Sequence, residues 1–279
     1  MPDVPAITPT LSLALIAVLP LAAVELAKAA RWRTLLGPSR PGYLVCLRAL
    51  VAGQLTNALS PVRAGEAVRL AWLTAQGGSL VPGAAAIAGV KAIDSVCLAA
   101  IAAGVVGLAA FAHSRAALAG ATLVLAAGLA LAVWGRSIRS RMEGSALARR
   151  LRLVALIDVA ATVHDPRALA TVLACTAVVW VAGLLANAVV LAVVGAPVTL
   201  DLCARIIVAG YLSALLPAPP VRLGVFEGAV TVALTTAGVP LALAIAAAVT
   251  LHVCQLAELG VLMGGSMLAR RWGRWVWSA

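Results

Sequence analysis

The charged residues that interrupt apolar segments are the first candidates for chemistry in this sequence. Arg63, Glu66 and Arg69 follow an apolar segment that ends at Pro61. Their spacing of i, i+3 and i+6 places the three side chains on one face of a helix. The guanidinium group binds phosphate through two parallel hydrogen bonds. Arg63 and Arg69 are therefore candidate ligands of a lipid phosphate, since an arginine in a membrane usually faces an interior cavity or a carboxylate.

The same residues also fit a structural role, and both interpretations stay open. Glu66 could pair with Arg63 to close a hairpin, and the arginines could extend toward the lipid headgroups. Asn57 lies just before the break. It could contact a ligand, but capping a broken helix end is the commoner use of such a residue, and we favour it.

A second cluster repeats this pattern in the C-terminal half. The motif Pro-Val-Arg-x-Gly occurs at residues 61–65 and again at residues 220–224. A carboxylate follows each glycine, and Glu227 is the one in the second copy. Three prolines, Pro217, Pro219 and Pro220, precede Arg222. A simple end of a span does not need them, so we favour a ligand role for Arg222 and Glu227. Paired interruptions in the two halves of a membrane protein indicate a transport site.

The composition predicts an all-α, polytopic membrane protein. The 279 residues are 63% hydrophobic and 11% charged, whereas a soluble domain carries about a quarter charged residues. Several apolar runs are as long as the roughly 20 residues that a bilayer requires. The formal net charge of +11 comes almost entirely from arginines that flank the apolar segments. This placement favours membrane topology and contact with anionic lipids over binding of nucleic acid.

The arginine-rich segments also predict which segments cross the membrane. Residues 31–42, 135–167 and 269–279 are rich in arginine and are expected in the cytoplasm. Three apolar pieces separate the first two of these segments, so one piece must return without crossing. We assign it to residues 43–75, which break at Pro61. The same counting in the second half assigns a hairpin to residues 202–238, which enters from the opposite side.

The predicted fold is a single transmembrane domain over residues 1–279, with about five full spans and two oppositely oriented re-entrant hairpins. The first half, 8–134, contains the hairpin 43–75; a basic cytoplasmic loop, 135–167, precedes the second half, 168–268, which contains the hairpin 202–238. The hairpins form an inverted repeat, with the N-terminus outside and the C-terminus in the cytoplasm. Irregular backbone at membrane depth is tolerated only where it lines a cavity. The predicted spans are 8–30, 83–111, 116–134, 168–194 and 241–268.

Polar residues inside the predicted spans suggest further contacts. Lys91 and Asp94 lie on one face of a helix at i, i+3, which favours a salt pair within the helix bundle. His252, Gln255 and Glu258 line one face of the last span. A proton relay is conceivable there, but a hydrogen-bonded contact between helices is favoured.

Enzyme chemistry has little support in the sequence. The three histidines are scattered, the five cysteines lie in apolar segments without metal-ligand spacing, and no Walker motif occurs. We therefore expect no enzyme activity, no catalytic residue, no metal and no cofactor.

The two interrupted segments resemble the signatures of a known family. The pattern N-x3-P-x-R-x-G-E-x2-R at residues 57–69 is similar to the signature of the lysylphosphatidylglycerol synthase transmembrane-region family, whose members are described as flippase-like. Residues 217–240 resemble its second signature, although Pro-Val-Arg replaces the usual Pro-Gly-Gly. His252 stands where an arginine is common, and Asp94 fits a third position of the pattern. The resemblance covers residues 10–268, and we expect a stand-alone member without the synthase domain.

This resemblance implies a function in moving lipids between leaflets of the bacterial inner (plasma) membrane. The expected substrate is an anionic or aminoacylated phospholipid, or a polyprenyl-linked lipid. The expectation is that its headgroup lies between the hairpins and that Glu66 pairs with Arg63 and Glu227 with Arg222. The alternative is a non-transporting scaffold for an envelope-lipid enzyme, docked through the loop 135–167, and a homo-oligomer also stays open. The substrate-binding residues are expected to be Asn57, Arg63, Glu66, Arg69, Arg222 and Glu227.

Overall fold

A computed structural model describes residues 15–37, 40–60, 64–107, 165–214, 216 and 219–276. Every regular element in these ranges is helical, which confirms the all-α prediction for this part of the chain. Arg63, the predicted span 116–134 and residues 135–164 of the predicted basic loop lie outside the described residues.

The described residues form eight α-helices, which we number in chain order. Short 3-10 turns at Leu15–Ala17 and Pro220–Arg222 precede α1 and α7. The helices are α1 (Val18–Leu35), α2 (Tyr43–Leu59), α3 (Gly65–Ala75), α4 (Leu80–Val106), α5 (Pro166–Val193), α6 (Leu200–Ser213), α7 (Val225–Thr235) and α8 (Leu241–Val276).

Three of the described helices are long and apolar enough to cross a membrane. They are α4 over Leu80–Val105, α5 over Pro166–Val193 and α8 over Leu241–Leu268. Each coincides with a span predicted from the sequence. The total of five spans and the two re-entrant hairpins stay predictions.

The helices on both sides of the two breaks are shorter. The helices α3 and α7 contain 11 residues each and α6 contains 14. At about 1.5 Å rise per residue, they extend roughly 17–21 Å, which is less than the roughly 30 Å hydrocarbon core. The helix α2, before the first break, is apolar but also short, with 17 residues.

The first helix departs from the sequence prediction. The predicted span ended at residue 30, and Arg31 and Arg33 were assigned to a cytoplasmic loop. In the structure α1 continues to Leu35, and Arg31 is fully buried. The assignment of these two arginines to a loop was wrong. Arginine is a good helix former, so its presence does not mark the end of a helix. Arg31 is buried because it has partners inside the protein.

The chain folds into two compact units, and each contains segments from both halves of the sequence. The first, here called the C-terminal unit, comprises residues 1–25, 54–65 and 178–279. The second, the N-terminal unit, comprises residues 26–53 and 66–177.

The core of the C-terminal unit is built around α7, which packs against α6 and α8. Phe226, Val230 and Leu234 recur every four residues of α7 and are buried, as expected for the apolar stripe of a helix. On α8 the facing residues include Ala244, Ala247 and Ala248, whose small side chains allow close helix packing. The α6–α7 segment is therefore packed against a helix that is long and apolar enough to cross a membrane.

In the N-terminal unit, a tight turn joins α3 to α4. The N–H of Gly78 donates to the carbonyl of Leu73 at 3.0 Å, and that of Gly77 donates to Thr74 at 3.0 Å. This is the Schellman pattern, and Gly77 has the positive φ of 83° that it requires. A Cβ atom on Gly78 would lie 2.6 Å from Leu73 Cγ and 2.9 Å from its carbonyl oxygen. Leu73 is fully buried, so a methyl group has no space here.

We expect Gly78→Ala to lower the free energy of unfolding of the N-terminal unit by about 1–3 kcal/mol. The added methyl group would displace the buried side chain and the backbone of Leu73. The measurement is the midpoint of thermal unfolding in detergent. Gly104→Ala in α4 is the matched control, because nothing lies within 4 Å of its added methyl group. Equal unfolding temperatures for the two variants would contradict the packing described for Gly78.

Candidate functional site

The break between α6 and α7 has unusual backbone geometry. Val221 has φ of 62° and Arg222 has φ of 54°, both in the left-handed region. Few residues other than glycine adopt these angles, and a β-branched valine does so only at a cost. Such a conformation persists where surrounding contacts hold it. The turn therefore depends on the side chains that tie it to the neighbouring helices.

Arg222 provides the first of these ties. Its Nη2 donates to the hydroxyl of Ser213 at 2.6 Å. Ser213 is the last residue of α6, is buried, and donates in turn to the carbonyl of Gly210 at 2.8 Å. The guanidinium group of Arg222 is thus held between the end of α6 and the start of α7.

Glu227 provides the second tie. It is the third residue of α7, and its Oε2 accepts the N–H of Gly224 at 2.8 Å, which caps the helix. Its Oε1 lies 2.6 Å from Nδ1 of His252 on α8. The imidazole also contacts the ring of Phe226, with 5.0 Å between the ring centroids. The hydrogen-bonded interhelical contact predicted for His252 is confirmed.

The prediction that Glu227 pairs with Arg222 was wrong. In the described structure the carboxylate of Glu227 contacts Gly224 and His252. The reason is local, because a carboxylate at the third position of a helix folds back onto the helix N-terminus. That conformation turns one oxygen to the backbone and leaves the other for α8.

Asn57 and Glu66 lie on either side of the first break. Oδ1 of Asn57 accepts the N–H of Gly65, the first residue of α3, at 2.8 Å, which confirms the favoured capping role. Glu66 forms a 2.6 Å ion pair with Nζ of Lys91 on α4. Because Arg63 lies outside the described residues, its expected pair with Glu66 stays a prediction.

Arg69 packs against an aromatic side chain. Its Cζ lies 3.6 Å from the centroid of the Trp32 ring, a cation–π contact. Trp32 is fully buried in the core of the N-terminal unit. Arg69 itself is half-buried. The stacking fixes the orientation of the guanidinium plane and covers one of its two faces.

The structure adds Arg31, which sequence reasoning missed. Its Nη2 donates to Oδ2 of Asp94 at 2.9 Å, and its Nη1 donates to Oγ1 of Thr176 at 3.1 Å. This fully buried side chain thereby connects α1, α4 and α5. The expected pair of Lys91 with Asp94 does not form, since Lys91 binds Glu66. The sequence did contain one signal for such a contact, because a carboxylate such as Asp94 in an apolar helix requires a cationic partner.

Removing the charge of Asp94 is expected to strand a buried cation. Asp94→Asn should reduce stability by about 3–5 kcal/mol, the usual effect of breaking a buried ion pair from one side. The control is Asp201→Asn, because Asp201 forms an exposed i,i+4 pair with Arg205 at 2.7 Å, and such pairs contribute about 1 kcal/mol or less. Thermal unfolding and expression yield measure both. Similar losses in the two variants would exclude a central structural role for the Arg31–Asp94 contact.

The cap from Asn57 is expected to stabilise the start of α3. Asn57→Ala should cost about 1 kcal/mol and increase amide exchange at residues 65–68, because the N–H of Gly65 loses its acceptor. Asn57→Asp restores an acceptor oxygen and should restore protection. Hydrogen exchange read by mass spectrometry tests this. Unchanged exchange in the alanine variant would show that the cap has no energetic role.

Comparison with known proteins identifies the family. Among curated proteins and solved structures, no significant match is found. The family model described as "Lysylphosphatidylglycerol synthase TM region" matches residues 3–264 of the 279 residues. The match covers nearly the whole chain and confirms the resemblance of its two interrupted segments. The chain therefore belongs to the lysylphosphatidylglycerol synthase transmembrane-region family, which indicates a membrane protein of lipid-related function.

Proposed function

We propose that this protein is a lipid flippase, which moves a lipid with a phosphate-bearing headgroup between the leaflets of the bacterial inner membrane. The substrate classes are an anionic phospholipid, an aminoacylated phospholipid or a polyprenyl-linked lipid. Membership of a family of lipid-related membrane regions supports this class of substrate. The headgroup would bind to arginines at the interrupted segments, and the hydrocarbon tail would stay in the bilayer.

The observation that carries this proposal is Arg222 in the left-handed turn between α6 and α7. Both helices are too short to cross a bilayer, and a non-helical backbone at membrane depth needs a protein-enclosed or watery surrounding. An arginine placed there is expected to meet water or a polar ligand rather than acyl chains. Its bond to the buried Ser213 holds the guanidinium group in place, which favours a binding role.

The start of α7 adds to the attraction for an anion. The N-terminus of a helix carries a partial positive charge, which favours phosphate and carboxylate groups. Glu227 already occupies part of this position and is engaged by Gly224 and His252. The hydrogen bonds of its two carboxylate oxygens are made to these two residues and not to Arg222.

Arg69 is the second described arginine in the proposal. Stacking on Trp32 occupies one face of its guanidinium plane. Phosphate binds guanidinium in the plane, through the N–H groups at its edge. The stacked orientation is therefore compatible with phosphate binding, and it restricts the directions from which a headgroup could approach. Arg63 and Asn57 stay members of the proposed substrate-binding set.

We expect Arg222→Gln to reduce lipid transport by about tenfold or more, the effect of losing about 1.4 kcal/mol of binding. Proteoliposomes with fluorescent phosphatidylglycerol, lysylphosphatidylglycerol or a polyprenyl phosphate provide the assay. The matched control is Arg205→Gln. Arg205 lies on α6 and pairs with Asp201 at the start of the same helix. This variant should transport within about twofold of wild type, since a surface ion pair contributes little.

Two results would contradict the proposal. One is equal transbilayer movement of all three lipids in vesicles with and without the protein. The other is an equal loss of transport in the Arg222 and Arg205 variants, which would indicate a general effect of charge on the α6–α7 segment. Size-exclusion profiles and unfolding temperatures must show that both variants are folded.

A further inference from the structure

The contact between Glu227 and His252 is a proton-binding arrangement that the proposed transport does not yet use. Glu227 Oε1 and His252 Nδ1 are 2.6 Å apart, on α7 and α8, and both side chains are largely shielded from water. An ionised carboxylate only accepts hydrogen bonds, so the proton of a neutral imidazole must lie on Nδ1. The lone pair on Nε2 is then the position that takes up a second proton.

Uptake of that proton changes the charge of the pair. With a neutral imidazole, the pair carries the single negative charge of the carboxylate. With an imidazolium, the two charges compensate and the hydrogen bond to Glu227 is kept. Histidine is the side chain that ordinarily changes charge between about pH 5 and 8. An arginine or a glutamine at this position would donate to Glu227 without binding and releasing a proton.

This charge change takes place at the same turn that carries Arg222. Glu227 is only five positions after Arg222, and it caps the same turn through Gly224. No other charged residue lies on α7. The remaining charged side chains that the structure describes on the other elements of this unit are Glu25, Asp201, Arg205 and Glu258. Asp201 and Arg205 pair with one another, and Glu25 accepts from Gln54.

We propose that Glu227 and His252 form a proton-binding site that is coupled to binding of the anionic headgroup at Arg222. A bound phosphate beside the ionised Glu227 is repelled by it, and one proton on His252 compensates that charge. The proton comes from water and binds to the imidazole nitrogen, and no other bond changes. Coupling between two sites is reciprocal, so the anion promotes proton uptake and low pH promotes anion binding. This inference rests on the proposed lipid-binding function.

The test measures protons and lipid binding separately. Purified protein in detergent and weak buffer near pH 6.5 receives dioctanoyl phosphatidylglycerol, and an indicator dye records proton uptake. The wild-type protein should take up a substantial fraction of one proton per bound lipid. Its affinity should rise by about tenfold between pH 8 and pH 5.5, which lies within the usual range of coupling between sites. Zwitterionic dioctanoyl phosphatidylcholine should cause no uptake.

Substitutions at position 252 decide whether this histidine is the site. His252→Gln and His252→Arg both retain a donor for Glu227, and both should bind phosphatidylglycerol without proton uptake and with an affinity independent of pH. The other histidines supply controls, and His113→Gln and His164→Gln should behave as wild type. Two substitutions at position 252 keep the test decisive if the larger side chain of arginine disturbs packing against Phe226.

The outcomes separate this inference from the proposed function. If the wild-type protein binds phosphatidylglycerol without taking up a proton, the coupling is overturned and the lipid-binding function stands. If proton uptake persists in both His252 variants, another group is responsible and the inference is wrong. If the protein binds no anionic lipid at any pH and transports none in vesicles, the proposed function fails and the coupling fails with it.

Discussion

The main constraint on this protein is that a buried charge needs a partner within the protein, because lipid tails supply none. Arg31 shows the consequence most directly. Its fully buried guanidinium group binds Asp94 on α4 and Thr176 on α5. Three helices of the N-terminal unit are therefore joined through one side chain. Apolar residues of similar volume in place of both partners would give comparable stability, so such a contact is better understood as fixing one arrangement of the helices.

The same constraint explains how the helix breaks are built. The start of each helix after a break leaves backbone N–H groups without acceptors, and side chains must satisfy them. Oδ1 of Asn57 does so for α3, the hydroxyl of Thr199 for α6, and the carboxylate of Glu227 for α7. Asn57 and Glu227 were expected to bind the substrate. Their capping contacts show that residues of a family signature can act by holding the broken backbone in place.

The break before α7 combines structural and proposed functional demands. Its left-handed Val221 and Arg222 cost conformational energy, and contacts from α6 and α8 hold the turn. Strain that is held by tertiary contacts often occurs at binding sites, where it fixes a side chain before the ligand arrives. This arrangement links the guanidinium group of Arg222, the cap of α7 and the imidazole of His252 in one small region. Binding and proton uptake would then act on the same turn.

The sequence by itself determined the features that depend on local composition and on chain breaks. Hydropathy predicted the long helices α4, α5 and α8, prolines predicted the interruptions, and the motif at residues 57–69 indicated the family, because these signals need no distant contact. Only the tertiary structure decided which charges meet. Arg31 binds Asp94, Lys91 binds Glu66, and Glu227 binds His252, across separations of 63, 25 and 25 residues. Helical spacing identifies neighbours within one helix, whereas the packing of different helices selects the partner of a charge on another helix.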